Sequence, residues 1–148
     1  MDCAFTGHRN FDLYSERNSL ARAVESAIVW HGADTFYNGM AKGFDLAAAQ
    51  TVIEFKKKYK IKLIACVPFY GQKDTLNACD KKIYEEVLKG CDEIIVLSQE
   101  YYPGCMYARN RYMVDNCDML IAYFRGRKGG TAYTVRYAES CGKEIMYI

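Results

Sequence analysis

Residues 35–67, TFYNGMAKGFDLAAAQTVIEFKKKYKIKLIACV, decide the fold. Thr35–Tyr37 is a short β-prone run closed by the turn pair Asn38-Gly39. From Gly43 to about Lys58, Phe44, Ala48, Val52 and Phe55 recur on one helical face. Ile61–Val67 then reads as an unbroken apolar strand, ended by Pro68. Strand, glycine-bearing loop, helix and fully apolar strand make a βαβ unit, whose strands must run parallel because the helix carries the chain back.

The same alternation extends in both directions. Upstream lie a strand at Cys3–Thr6 and a helix marked by Leu20, Val24, Ala27 and Ile28. Downstream come a helix on Leu76, Cys79, Ile83 and Val87, the strand Glu93–Leu97, and a short helix from Ala108 to about Asn116. The strand Met119–Tyr123, a helix on Thr131, Val135 and Ala138, and the strand Glu144–Ile148 complete the chain. Six strands and five helices predict an α/β, Rossmann-like, doubly wound and mostly parallel six-stranded sheet with helices on both faces. Three triplets, Gly32-Ala33-Asp34, Gly90-Cys91-Asp92 and Asn116-Cys117-Asp118, stand between a helix and a strand. Gly and Asn there suit a left-handed residue after a helix, and Asp suits the turn that follows. Lys56, Lys57, Lys58, Lys60 and Lys62 fall at a helix end, where they complement its dipole.

With 148 residues the chain is expected to form one domain spanning 1–148. A hydrophobic fraction of 51% beside a net charge of only +2 excludes disorder as the main state. No apolar run is long enough to span a membrane. The start, MDCAFTGHR, has no secretory signal pattern, so the expected location is cytoplasmic. Seven cysteines without a CxxC pair are then read as reduced thiols rather than disulfides or zinc ligands. No metal site and no cofactor is expected, and homo-oligomerisation is left open.

In such a sheet, ligands bind beyond the carboxyl ends of the strands, so the loops after strands carry the chemistry. In Thr6-Gly7-His8-Arg9-Asn10, Gly7 allows close backbone approach and Arg9 can pair with a phosphate. His8 is read as a structural imidazole in preference to a catalytic one. The second loop, Asn38 to Asp45, enters a helix through two glycines; Asp45 either complements the helix dipole or accepts ribose hydroxyls. The third, Ser98–Arg111, carries Tyr101, Tyr102 and Tyr107, which could stack on a base or equally cover the core edge. Arg109-Asn110-Arg111 is read as opening the next helix, where cations oppose the dipole unless an anion or a buried acid such as Asp45 or Asp115 answers them. The fourth, Arg125 to Thr131, holds Arg125, Arg127 and Lys128 around Gly129-Gly130, and is the strongest anion signal. The loop Pro68–Gln72 could wall a base pocket. No catalytic residue can be assigned from spacing.

Taken in order, Gly7-His8-Arg9, NGMAKGFDLAAA, GCMYARNRYMVDNCD and GGTAYT resemble the YpsA-like branch of the SLOG superfamily over nearly the whole chain. That superfamily includes the Rossmann domain of the DNA-processing protein DprA and the lonely-guy phosphoribohydrolases. The resemblance implies a pocket for a nucleotide or a nucleotide-derived ligand such as ADP-ribose. It implies Gly39, Met40, Gly43 and Asp45 on one wall, Arg109 and Asn110 on another, and Gly129, Gly130 and Thr131 at the phosphate. The lonely-guy motif PGGxGTxxE ends in a catalytic glutamate. Here Thr134 stands about there and no proline precedes the glycines, while Glu139 comes two helical turns later. Weak or absent hydrolysis is therefore expected, and the leading reading is binding or sensing of a phosphate-containing nucleotide ligand. The alternatives are a lonely-guy-type N-glycosidic hydrolase of nucleoside phosphates and a single-stranded DNA-binding module. The modest charge speaks against nucleic acid.

Overall fold

The computed structural model describes residues 1–126 and 128–148. The chain runs β1 (Asp2–Gly7), α1 (Leu13–His31), β2 (Thr35–Asn38), α2 (Phe44–Phe55), β3 (Lys62–Val67) and a short 3-10 turn (Gln72–Thr75). It continues α3 (Ala78–Gly90), β4 (Glu93–Val96), α4 (Cys105–Asp115), β5 (Met119–Tyr123), α5 (Gly130–Ser140) and β6 (Glu144–Tyr147). The six strands form one sheet in the order β4-β3-β2-β1-β5-β6. Every pairing is parallel, so the fold is a Rossmann-like α/β sheet. Strand order grows one way from β1 through β2, β3 and β4, then crosses back to β5 beside β1. The β1–β5 gap is therefore the switch point where a crevice opens at the carboxyl ends.

Two cores follow from the pleat. Cys3, Phe5, Phe36, Leu63, Ala65 and Val67 face α1, α2 and α3. Ala4, Ile64, Cys66, Leu120 and Ala122 face α4 and α5. Side chains alternate between faces along each strand, and with helices on both sides β5 is buried throughout and β1 and β3 nearly so, as the apolar runs require. Burial pushes the Cys66 thiol up to about 12, so it packs as a small hydrophobe.

The element count agrees with the sequence reading, and the differences lie at boundaries. α1 begins at Leu13, seven residues before its apolar stripe, because Asp12 accepts the Tyr14 N–H (3.0 Å) and caps it. α4 begins at Cys105, not near Ala108. Of the three triplets, only Gly32 is left-handed (φ 73°). Gly90 makes room for a neighbour, because a Cβ there would lie 2.6 Å from the tip of the Ile53 side chain. The aspartates have a shared job. Asp92 accepts the Leu63 N–H (2.8 Å) and Asp118 the Asp2 N–H (2.9 Å), tying strand starts to their neighbours. The lysine run is solvated and paired: Lys56 with Asp92 (2.7 Å), Lys57 with Glu54 (2.7 Å) and Lys58 with Glu25 (3.2 Å).

Candidate functional site

A crevice of about 310 Å³ opens at the switch point. It is lined by Phe5, Thr6, Gly7, His8 and Arg9 from β1 and its loop, Ala41 and Asp45 from the β2–α2 segment, Met106, Arg109 and Asn110 of α4, and Gly130 and Thr131 of α5. A larger groove of about 400 Å³ lies between α1 and α2, lined by residues such as Leu13, Arg17, Gln50 and Phe55. That groove takes its walls from the two helices alone and has no buried polar group among its lining residues, so chemistry belongs to the crevice.

Asp45 is the chemically distinctive residue. It sits in the first turn of α2 and is buried. Its Oδ2 accepts the Ala41 N–H (3.3 Å), while Oδ1 is buried without a hydrogen-bond partner. Burial raises its pKa from 3.8 to about 6; the nearby Arg109 charge and the Ala41 hydrogen bond pull the other way and lose.

Arg109 is equally buried, and its placement corrects the expectation from sequence. Because α4 begins at Cys105, Arg109 stands beyond the first turn, so the opposing-dipole argument does not apply to it. Its guanidinium donates to the Gly39 carbonyl and to Asn110 Oδ1 (2.7 Å). Asp45 attracts it without ion-pair contact among the described residues, whereas Asp115 is taken by the Tyr137 hydroxyl (2.7 Å). Gly39 makes room for the guanidinium: a Cβ there would lie 2.8 Å from that group, which would have to shift. Gln72 also donates to that carbonyl (3.1 Å) and accepts from the Tyr84 hydroxyl (2.9 Å). Two donors on one carbonyl hold the β2–α2 loop against α4.

The β1 loop is clamped from two sides. Phe44 N–H donates to the His8 carbonyl (3.2 Å), and a Cβ on Gly43 (φ 86°) would lie 2.1 Å from the Arg9 carbonyl oxygen. His8 Nε2 accepts the Arg125 N–H (2.6 Å), which places the ring proton on Nδ1 and spends one nitrogen on joining the β1 and β5 ends. Arg9 is exposed at the rim and has no acidic partner among the described residues. Arg125 lies over the Tyr123 ring (4.5 Å) and donates to the Ile148 carbonyl (2.7 Å), so it ties down β6. Arg127 lies outside the described residues.

Helix starts differ around the molecule. α1 and α3 are capped by the side chains of Asp12 and Asn77, away from the crevice. α2, α4 and α5, which line it, start from Gly43, Gly104 and Gly129, all with positive φ and no side-chain cap. Uncapped N–H groups at a helix start are donors for an anion. At α5, Thr134 Oγ1 donates to the Gly130 carbonyl (2.8 Å) inside the helix.

Of the residues singled out in the sequence, Gly7, His8, Arg9, Asp45, Arg109, Asn110, Gly130 and Thr131 come together around the crevice, and Gly129 adjoins it. Gly39 and Gly43 stand behind the lining, shaping it. Met40 points into the core, fully buried, with a strained φ of 62° held by the Asn38 Oδ1 hydrogen bond (2.8 Å). Phe5, Thr6, Ala41 and Met106 also line the crevice without being singled out by the sequence. Thr6 is legible as the residue at a strand's carboxyl end; Met106 is not, because α4 begins at Cys105 with no capping side chain to announce it. Phe69 is buried and Tyr101 packs on it (5.4 Å), so neither walls the crevice, and Tyr107 packs on Tyr133 (4.6 Å).

Comparisons with known proteins agree with this architecture. The model of the YspA SLOG family matches residues 3–148. The SPbeta prophage-derived protein YoqJ of Bacillus subtilis is 31% identical over 144 residues, covering 88% of this chain and 84% of that protein. A UPF0398 protein of Bacillus pumilus is 30% identical over 159 residues, covering 98% and 86%. Among solved structures, DNA processing protein A of Helicobacter pylori, described for its single-stranded DNA binding mode, superposes with a TM-score of 0.69 at 21% identity. It matches 99% of this chain, which spans 64% of that one. At that identity the likeness is one of fold. Among the described residues no helix is long and apolar enough to cross a membrane.

Proposed function

The chain belongs to the YspA SLOG family, and from that premise and the crevice we propose that it binds a nucleotide-derived, phosphate-containing ligand. One observation carries the reading: the buried, unpartnered Oδ1 of Asp45. An ionised carboxylate there, with a pKa raised to about 6, is costly to the apo protein, and a buried acceptor without a donor adds to that cost. A ligand hydroxyl, such as one of a ribose, would satisfy it. The phosphate would take the uncapped start of α5 at Gly129–Thr131, with Arg9 at the rim as counter-charge. A cavity of about 310 Å³ suits a mononucleotide-sized group rather than a long polymer.

A second reading has its own support. Asp45 is the one carboxylate among the described residues that line the crevice, and a carboxyl poised near 6 can exchange a proton at neutral pH. In that role it would serve N-glycosidic hydrolysis of a nucleoside phosphate, taking the place of the glutamate that Thr134 does not supply.

Native mass spectrometry of freshly purified protein, followed by calorimetric titration with AMP, ADP and ADP-ribose, tests the first reading. Binding by at least one of them is expected, weakened at least about tenfold in Asp45→Asn, the scale of a hydrogen bond to a charged group. No binding, or affinity indifferent to Asp45, would overturn it. Incubation with purine monophosphates and chromatography of free base tests the second. An oligonucleotide arm in the same titrations tests single-stranded DNA.

A further inference from the structure

The sheet has two free edges, and they are treated differently. At β6, the Tyr147 hydroxyl donates to Glu139 (3.4 Å) and Arg125 holds the terminal carbonyl of Ile148. Ile145 and Met146 are half-buried. At β4, the strand EIIV has the exposure pattern of a surface segment although its composition is that of a core strand. Ile94 is 48% exposed and Val96 40%. They stand beside Ala65 and Val67 of β3, on the face that α1–α3 cover elsewhere, and α3 leaves them open.

The patch continues past the strand. Leu97 N–H donates to the Val67 carbonyl (2.9 Å) and Tyr70 N–H to the Ser98 carbonyl (3.1 Å), which places Leu97 and Tyr70 on the same edge. Tyr101 packs on Phe69 and extends it, and Tyr102 follows. Tyr70, Tyr101 and Tyr102 are 70%, 63% and 45% exposed. At ~200 Å² per side chain these three alone present about 350 Å², as much as the largest patch of many monomers. Adding the strand edge and its aliphatic side chains approaches the roughly 600 Å² per partner of a small stable interface.

The guards are few. Of the devices that blunt edge strands, β4 has its shortness, four residues, and a single charge: no lysine or proline lies between residues 93 and 98, where Glu93 is the only charge. Asp92, just before it, is already neutralised by Lys56 (2.7 Å). That single charge chooses the partner and the direction. A parallel neighbour in register would set Glu93 beside its own copy, whereas an antiparallel two-fold neighbour sets Glu93 opposite Val96 or Leu97 and brings apolar residues together at the axis. We propose that the edge of β4, with Tyr70, Tyr101 and Tyr102, is the two-fold interface of a dimer of this chain, joining two six-stranded sheets into one. The proposal is independent of the ligand reading.

Sedimentation velocity of the whole chain across the micromolar range tests it. A dimer of twice 17.0 kDa is expected for the unaltered chain. Val96→Lys, at a 40% exposed position, should raise the dimer dissociation constant at least about tenfold with an unchanged far-UV spectrum. If Val96→Lys fails to fold, Tyr70→Ser, outside the strand, takes its place with the same expectation. An unaltered chain that stays monomeric throughout, or a dimer indifferent to the substitution in β4, overturns the proposal.

Discussion

Asp45 titrates near pH 6 in the folded chain against an ordinary 3.8, so between those values the folded state binds a proton that the unfolded state has released. Its contribution to stability is therefore full below about pH 4 and is lost as pH rises through about 6. Asp45→Asn should remove this pH dependence. By the same shift it should raise apo stability at pH 7.5 by on the order of 3 kcal/mol, read by calorimetry across pH. A substitution that stabilises the fold while weakening ligand binding is the signature of a site residue. Arg109 should behave in the opposite way. Arg109→Ala would leave Asn110 Oδ1 without its donor and Asp45 without a nearby cation. The apo protein should then lose about 3–5 kcal/mol in denaturant melts. A loss below about 1 kcal/mol would mean that Arg109 serves the ligand and not the fold.

Among the elements, α5 has the most exposed role. Its start at Gly129 has φ 99° and ψ −172°, a region essentially confined to glycine, with open space where a Cβ would be. Gly129→Ala therefore adds backbone strain without a clash. It should cost about 1–3 kcal/mol or turn the loop, and either way weaken inorganic phosphate binding measured by titration. Gly7 is a glycine for a different reason, since its missing side chain leaves room for the Phe44 ring, and Gly43 for both, with a φ of 86° and no room for a Cβ beside the Arg9 carbonyl. Their substitution should damage packing of the β1 loop on α2 before it damages any contact with an anion.

For the molecule as a whole, ligand binding and stability are linked by mass action. A ligand at one hundred times its dissociation constant adds about 2.7 kcal/mol. In a chain of 148 residues that corresponds to a rise in Tm of roughly 5–10 °C. The unaltered chain with the best nucleotide should show this rise, and Asp45→Asn, bound at least about tenfold more weakly, should show about half of it or less at the same concentration. A rise equal in both would place the binding site away from Asp45.

Local pattern was enough for the class of fold. The runs Thr35–Tyr37, Ile61–Val67 and Met119–Tyr123, separated by helical spacing, left only a parallel sheet with covered faces, because apolar periodicity and chain connectivity are local properties. The four loops that meet at the crevice were legible too, since each follows a strand and parallel strands all end on one side. Strand order, and with it the β1–β5 switch point, depended on which crossovers pack, which no single segment encodes. The same limit hid the start of α4, where Gly104 is left-handed and no capping side chain announces the helix. The partnerships of Arg109 with Gly39, seventy residues away, of Gln72 with that same carbonyl, and of His8 with Arg125 join distant loops. So does the desolvation that lifts Asp45 to about 6. Burial and long-range contact exist only once the sheet has assembled, and for that reason the tertiary structure alone decided which charged residues are strained and which are at rest.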